Sequence, residues 1–531
     1  MKRNYILLLL ICLTAAACLK KEDFSFKKIT VGDWNPDWAL PLLNSKLTLK
    51  NLVQHGNVGN TVTEDSAGLY SIHYDGKIFE ALASDYIKIE DQNFATDSIP
   101  LSSPISVGNF NGSVSDTFSS FYNYTDTSGA QLKHLRLKSG SIKLKINSSF
   151  QQNLSIQIVF PTVKNGAIAL SVNAQVNYPS TSTTVNINLG GYTFDFTNNN
   201  TTSNYLPYKV YYTVSGNGTQ PINTTDFVKG TIGLTSMKFA FVDGYLGQRN
   251  IPIPLDTIPI EIFNNSLSAQ LFLENPKVHL TVKNYFGVSA SGSLTNTKGI
   301  TRGGNINNVL GQFFSTPLVI TQPSVVGQYT NNIYTMDKNN SNIQNVFNPA
   351  PNKIVYQGNI QINSSGVAYN FITDTSKLIV LANAEIPAWF KIIDFTLQDT
   401  FNLTLPQDTD LVESVKFKMG VENAFPLYTN VQLYFADTLN KILDSLIIPT
   451  QNLIPQAPVN ASGIITSSTT KETIFEMDNN HYKRFNRKVK HAIIRGNLKT
   501  SGSNSVQIHS NNYIGIKLAA EIKLHVSVLK H

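Results

Sequence analysis

Cysteine is nearly absent: Cys12 and Cys18 are the two in 531 residues, and both lie close to the N-terminus. Cys12 sits inside an apolar leader, so Cys18 alone remains once that leader is removed. Neither an intramolecular disulfide nor a cysteine-based metal site can then form. Charge is also scarce, at 15% of residues, and the formal net charge of +7 falls by two when Lys2 and Arg3 leave with the leader. Spread over so long a chain, that is no nucleic-acid footprint. Long hydrophobic runs are missing too. The stretch from Tyr5 to Ala17, roughly 13 residues, falls short of the ~20 a spanning helix needs. The nine histidines show no H-E-x-x-H spacing. Gly287-Val288-Ser289-Ala290-Ser291 lacks the closing glycine of a nucleophile elbow, and no Lys-Ser or Lys-Thr follows Gly303-Gly304 to make a phosphate loop. The sequence therefore names no catalytic residue, no metal ligand and no cofactor.

What is present begins with export. Lys2 and Arg3, the apolar run and then Ala15-Ala16-Ala17-Cys18 make a secretory leader with small residues set directly before a cysteine. The arrangement resembles a lipobox, with Ala15 where Leu is usual; the alternative is an ordinary A-x-A cleavage site that a cysteine happens to follow. The expectation is that residues 1–17 are a signal peptide and that Cys18 becomes the acylated, palmitate-bearing N-terminus. Lys21-Glu22-Asp23, on a tether of residues 18–29, resembles the signal that sends Bacteroidetes lipoproteins to the outer face of the outer membrane. The plainer alternative is a solvated charged linker.

Beyond the tether, period-two alternation recurs and long helical periodicity does not. Ile142 to Ile146, Val278 to Val282 and Val415 to Met419 each place apolar residues on one face and polar residues on the other, as half-buried antiparallel strands require. Short helices are expected at Thr48 to Val53, Asn307 to Phe314 and Ser341 to Phe347. The spacing of Leu439, Ile442, Leu443 and Leu446 is helical, but Asp437-Thr438-Leu439-Asn440 after a strand reads as a hairpin turn, and the hairpin is preferred. The three alternating strands are each followed by Asn and an aromatic: Asn147 to Phe150, Asn284-Tyr285-Phe286 and Asn423-Ala424-Phe425. An Asn past a strand closes a turn with its side chain while the aromatic folds back onto the apolar face. These features predict an all-β protein of antiparallel β-sandwich-like units with a few short helices: 30–185, 186–345 and 346–531. Gly244-Tyr245-Leu246-Gly247-Gln248, Glu274-Asn275-Pro276-Lys277, Asn423 to Leu427 and the stretch from Asp33 to Leu42 resemble segments of uncharacterised Bacteroidetes surface lipoproteins. That resemblance implies no activity.

Candidate binding residues are few. Trp34 and Trp38 could stack on a sugar, or cap the first unit against the tether. Asp33, Asn35 and Asp37 open like a calcium loop, but Trp38 and Asn44 occupy the positions of its turn glycine and bidentate glutamate. Glu90-Asp91 reads as a solvated turn, and Asp408, Asp410 and Glu413 as the exposed start of a strand rather than a metal-binding cluster; the basic stretch from His481 to His491 could contact lipid phosphates or anionic glycans, but a solvated face is preferred. The preferred function is a non-catalytic, lipid-anchored, surface-displayed envelope protein that acts as a binding, adhesion or structural component, with a glycan, a protein or another envelope component as its partner. A carrier with an apolar cavity comes next, and a glycan hydrolase third.

Overall fold

A computed structural model describes residues 37–49, 60–95, 108–260, 266–402, 412–445, 453–460, 464–486, 488–501 and 504–524. Cys18, Lys21, Glu22, Asp23 and Trp34 lie outside them. The fold is all-β and its strand pairs are antiparallel, as the alternation predicts. Two compact units emerge, both discontinuous in sequence: residues 1–48, 396–501 and 512–531 in one, 49–395 and 502–511 in the other. These limits differ from the boundaries expected near 185 and 345. Val185 lies within Ser182–Asn188, paired with Gln131–Ser148, and residue 345 lies in the helix Ile343–Val346.

In the smaller unit a four-stranded sheet joins the two ends of the chain. Asp37–Leu47 pairs with Ile514–Leu524, which pairs with Val412–Asn423, and that with Thr469–Asp478. Tyr428–Ala436 pairs with His491–Lys499 and, through a hairpin, with Ile442–Ser445. The Asp437 carboxylate accepts from the amides of Leu439 and Lys441, both at 2.9 Å, and so closes the expected turn.

The larger unit holds a ten-, a six- and a five-stranded sheet. The last two face each other, and Tyr356, on Lys353–Ile362 of the six-stranded sheet, donates its hydroxyl to the Ile78 carbonyl of Tyr70–Leu82 at 2.8 Å. Ile142, Leu144 and Ile146 are buried while Lys143 and Lys145 are exposed, so the burial pattern follows the sequence pattern. Of the expected helices, Ile343–Val346 forms within 341–347, and only Thr48 and Leu49 of 48–53 are described. The predicted 307–314 helix is displaced to Gln312–Ser315, because Ile306–Asn308 is taken up as a strand against Lys298–Ile300.

The strand-Asn-aromatic echo is a repeated corner. Asn284 is fully buried: its amide donates to the carbonyls of Val288 (3.0 Å) and Thr321 (2.9 Å), and its oxygen accepts from the Phe286 amide at 2.9 Å. Asn423 does the same with Leu427 (2.8 Å), Pro455 (2.9 Å) and Phe425 (2.9 Å). In the first copy the equivalent residue is Ser148 rather than Asn147, one position later than expected. Its hydroxyl accepts from the Phe150 amide at 3.2 Å. After each pivot the next amide donates to a carbonyl at the start of the neighbouring strand or one residue before it: Ser149 to Phe227, Tyr285 to Lys377 and Ala424 to Tyr513. A residue two beyond the pivot is then forced inward, and Phe150, Phe286 and Phe425 are all buried.

The segment from Gly244 to Gln248 also has a structural explanation. Gly247 has φ +77°, and a Cβ there would lie 2.3 Å from Ser128 Oγ. Buried Asn363 donates to the Gly247 carbonyl (2.7 Å) and to Asn370 Oδ1 (2.8 Å), while Asn370 accepts from the Leu246 amide at 3.1 Å. Arg249 reaches Ser128 Oγ (2.9 Å) and the buried Asp126 carboxylate (3.4 Å). The loop is thereby held from both sides.

Candidate functional site

Of the residues suspected from sequence, Asp33, Trp34 and Asn35 lie outside the described residues, and the described ones are spread over separate elements. Trp38 lies on Asp37–Leu47 opposite Ile522, and Asp37 and Asn44 belong to that same continuous strand rather than to a cation-binding loop. The Glu90 carboxylate accepts from the amide of Thr127 at 3.1 Å and from its hydroxyl, so it anchors a turn instead of facing solvent; Asp91 is exposed. Of the acidic group, Glu413 pairs with Lys523 at 2.7 Å, and Asp408 and Asp410 lie outside the described residues. The basic stretch from His481 begins inside the helix Asn479–Asn486, where Tyr482 is fully buried, and ends where His491–Lys499 starts.

A different surface has the composition of a binding face. At one end of the ten-stranded sheet four strands run side by side: Ile168–Val176, Asn153–Asn165, Tyr205–Ile222 and Gly108–Asn123. Their inward residues include buried Leu154, Ile156, Val172, Val210 and Val214. Period two then sends the residues between them to the opposite face, and register aligns these into rows. Asn173, Gln157, Tyr211 and Thr117 lie directly across from one another; Gln175, Ser155, Thr213 and Ser115 form the next row, and Ser171, Val159, Lys209 and Ser119 the one on the other side. The hydroxyls of Ser115 and Thr213 are 2.8 Å apart, those of Ser113 and Ser215 are 2.9 Å apart, and Gln157 donates to Ser171 at 2.9 Å. The Tyr211 and Thr213 rows, together with Asp116 and Tyr212, line a depression of ≈ 600 Å³ with the exposed Tyr211 ring, 41% accessible, in it.

Further along the same strands, on their inward side, aromatic rings pack together. Tyr122 stacks between Phe94 and Tyr208, with ring centroids at 4.4 and 4.5 Å. Buried Tyr212 donates to Asp116 Oδ2 at 3.5 Å, and burial, followed by the Asp116 charge, pushes its phenol above the usual tyrosine range. Tyr212 is therefore a neutral donor and part of a fixed floor.

Two other places have some chemical interest. Asp243, buried, takes the His134 amide (2.9 Å), the His134 ring Nδ1 (2.9 Å) and the Tyr369 hydroxyl (2.9 Å). Burial and then Asp243 push the Tyr369 phenol up to about 12. Among the described residues no hydroxyl nucleophile is bonded to the His134 ring, and no group of three His, Cys, Asp or Glu is placed to hold a metal. Between the five- and six-stranded sheets lies an apolar cavity of ≈ 60 Å³, bordered by Ile78, Leu280, Met336, Ile354 and Tyr356. Ligand pockets typically measure roughly 300–1,000 Å³, so this is a packing void.

Sequence reasoning missed Tyr211, although its signal was there. In Leu206 to Val214, apolar or buried residues alternate with Pro207, Lys209, Tyr211 and Thr213, so the tyrosine belongs to the polar phase of the strand.

No family model matches the chain, and no curated protein matches it. Solved structures with some likeness include a putative secreted protein from Parabacteroides distasonis, with a TM-score of 0.27 and 11% identity over 92% of this chain and 99% of that one. Another is infectious bursal disease virus, Gx strain, with a TM-score of 0.15 and 8% identity over 80% of this chain and 82% of that one. At such scores neither likeness carries a conclusion about family or function.

Proposed function

We propose that the mature chain is a non-catalytic lipoprotein, held to the outer membrane of a Bacteroidetes-type cell by acyl groups on Cys18 and carried to its outer face by Lys21-Glu22-Asp23. Its work is to bind glycan chains on the sheet face around Tyr211. The observation that carries this reading is the register of that face: amide and hydroxyl side chains in aligned rows around one exposed aromatic ring. A sugar presents hydroxyls at its rim and C–H groups on its faces, which match hydrogen-bonding side chains and a flat ring respectively. Cross-strand bonds such as Ser115 to Thr213 and Gln157 to Ser171 hold the rows before a ligand arrives, which lowers the ordering cost of binding. The carrier reading has no comparable observation behind it, since the apolar void is small.

The test is affinity electrophoresis of residues 24–531 in gels cast with bacterial surface polysaccharides. The wild type is expected to be retarded and Tyr211→Ala to migrate as in a blank gel. Equal migration of the two in every gel would overturn the assignment, and sugar release abolished by changing one Asp or Glu would replace it with a hydrolase.

A further inference from the structure

The ten-stranded sheet ends in a strand that is long and open. Gly108–Asn123 runs 16 residues, where ~5–6 is usual, and among the described residues its one hydrogen-bonded neighbour is Tyr205–Ile222. The Tyr124 amide donates to the Asn204 carbonyl at 2.8 Å, just past the Tyr205 end of that neighbour. N–H groups alternate sides along a strand, so even-numbered amides point to Tyr205–Ile222 and odd-numbered ones to the open side. The Thr117 amide accordingly turns to the carboxylate of Asp116, at 2.7 Å. Proteins close such edges with lysine, with proline or by keeping them short; this strand is long and holds no lysine, arginine or proline.

The edge also complements itself. Phe110, Val114 and Phe118 pack against the core, while Ser113, Ser115 and Thr117 are exposed on the other face. The stretch Phe110-Asn111-Gly112-Ser113-Val114-Ser115-Asp116-Thr117-Phe118 has nearly the same pattern read from either end. Laid antiparallel on itself about Val114, it sets Val114 against Val114, Ser113 against Ser115, Asn111 against Thr117 and Phe110 against Phe118. Apolar residues then meet apolar ones, and hydroxyls meet hydroxyls, as Ser113 already meets Ser215 and Ser115 meets Thr213. Asp116 is the one charge on the strand and shares the phase of Val114 and Phe118. A charge in that phase closes the edge to any strand that would put a side chain against it. In the self-pairing it meets Gly112, where a Cβ would have nothing within 4 Å. The two carboxylates are offset by four residues, or about 14 Å at ~3.4 Å per residue.

We infer that two copies of the chain join edge to edge through Gly108–Asn123, antiparallel about a two-fold axis at Val114. The contact is isologous, so it closes at two copies and leaves no open strand at this edge. Odd-numbered residues from Asn109 to Ser119 supply roughly twelve hydrogen bonds between the chains, two for each directly opposite pair. Directly opposite residues of paired strands project to the same face, so the two Tyr211 faces become one continuous surface. The inference stands without the glycan-binding reading; where that reading holds, it makes the protein bivalent.

The experiment is sedimentation equilibrium of residues 24–531, which include every described residue, with variants chosen from the direction of each N–H. The wild type is expected to dimerise reversibly below ~100 μM. Ser115→Pro removes an open-side donor and no bond to Tyr205–Ile222, and should weaken the dimer about tenfold or more. Ser115→Lys brings like charges into the interface and should weaken it about two- to tenfold, less at high salt. Urea midpoints equal to wild type serve as the folding control, and should Ser115→Pro lose its fold, the lysine and cysteine variants decide. Cys12 and Cys18 lie outside residues 24–531, so Val114→Cys supplies a single thiol per chain. In a directly opposite, non-hydrogen-bonded pair the two thiols sit within disulfide reach. Mild oxidation should link Val114→Cys into dimers and leave Ser119→Cys, about 34 Å from its mate along the strands, unlinked. A wild type that stays monomeric at ~100 μM, a dimer untouched by both Ser115 variants, or equal linking of the two cysteine variants overturns the inference.

Discussion

Replacing Asn284 with alanine removes three buried hydrogen bonds at once. Its amide satisfies the Val288 and Thr321 carbonyls, and its oxygen satisfies the Phe286 amide. A buried hydrogen bond contributes about 1 kcal/mol net, and a partner left unpaired in the interior costs about 1–3 kcal/mol, so Asn284→Ala should cost about 3 kcal/mol or more. Asn423→Ala should cost a similar amount, since Asn423 makes the matching three bonds. Ser148→Ala is the internal control: its hydroxyl serves one amide at the equivalent point, at 3.2 Å, and its loss should cost about 1 kcal/mol. Asn284→Asp keeps the acceptor but turns an oxygen toward two carbonyls, so it should be at least as damaging at neutral pH. Equilibrium urea unfolding of residues 24–531, followed by circular dichroism, measures all four. If Asn284→Ala and Asn423→Ala cost no more than Ser148→Ala, the corners are not held by their side chains and the repeat has no energetic meaning.

Gly247→Ala should destabilise by about 1–3 kcal/mol, because the residue sits at φ +77° and the added methyl would meet Ser128; a urea midpoint equal to wild type would show that the loop can shift. Burial pushes the Glu385 carboxyl up, but the hydrogen bond from His279 and the charge of Lys277 outweigh it and hold it below its ordinary 4.5. A lowered folded value gives stability that is present above 4.5 and lost as pH falls through that folded value. The urea midpoints of wild type and Glu385→Gln should therefore converge on acidification, and a gap that widens would refute the assignment. Cys18→Ala should move the protein from the membrane to the soluble fraction. Alanine at Lys21, Glu22 and Asp23 should leave it lipidated but protected from protease added to intact cells; equal digestion of both forms would show that the three residues do no sorting.

The alternating strands were legible in the sequence because each has one wet face, and burial imposes period two directly on residue choice. The Asn corners were half legible. Asn284 and Asn423 could be read from their spacing to an aromatic, but Ser148 could not, since a hydroxyl can replace the amide's acceptor role and the neighbouring Asn147 drew the alignment one residue off. The division into units was hidden for a different reason. Asp37–Leu47 pairs with Ile514–Leu524, and no local pattern encodes a pairing between opposite ends of a chain. The face around Tyr211 was hidden in the same way: each strand shows only its own polar phase, and the rows exist only once register has set Gln157, Tyr211 and Thr117 side by side.

The central claim is that this face is where the protein meets its ligand, and hydrogen–deuterium exchange on residues 24–531, with and without saturating glycan, tests it most directly. Edge and near-edge strands exchange readily when their hydrogen bonds open locally, so a ligand lying across them should slow exchange in peptides from Gly108–Asn123 and Tyr205–Ile222 and leave Val412–Asn423 unchanged. Protection confined to other strands, or protection at this face that persists in Tyr211→Ala, would contradict the account.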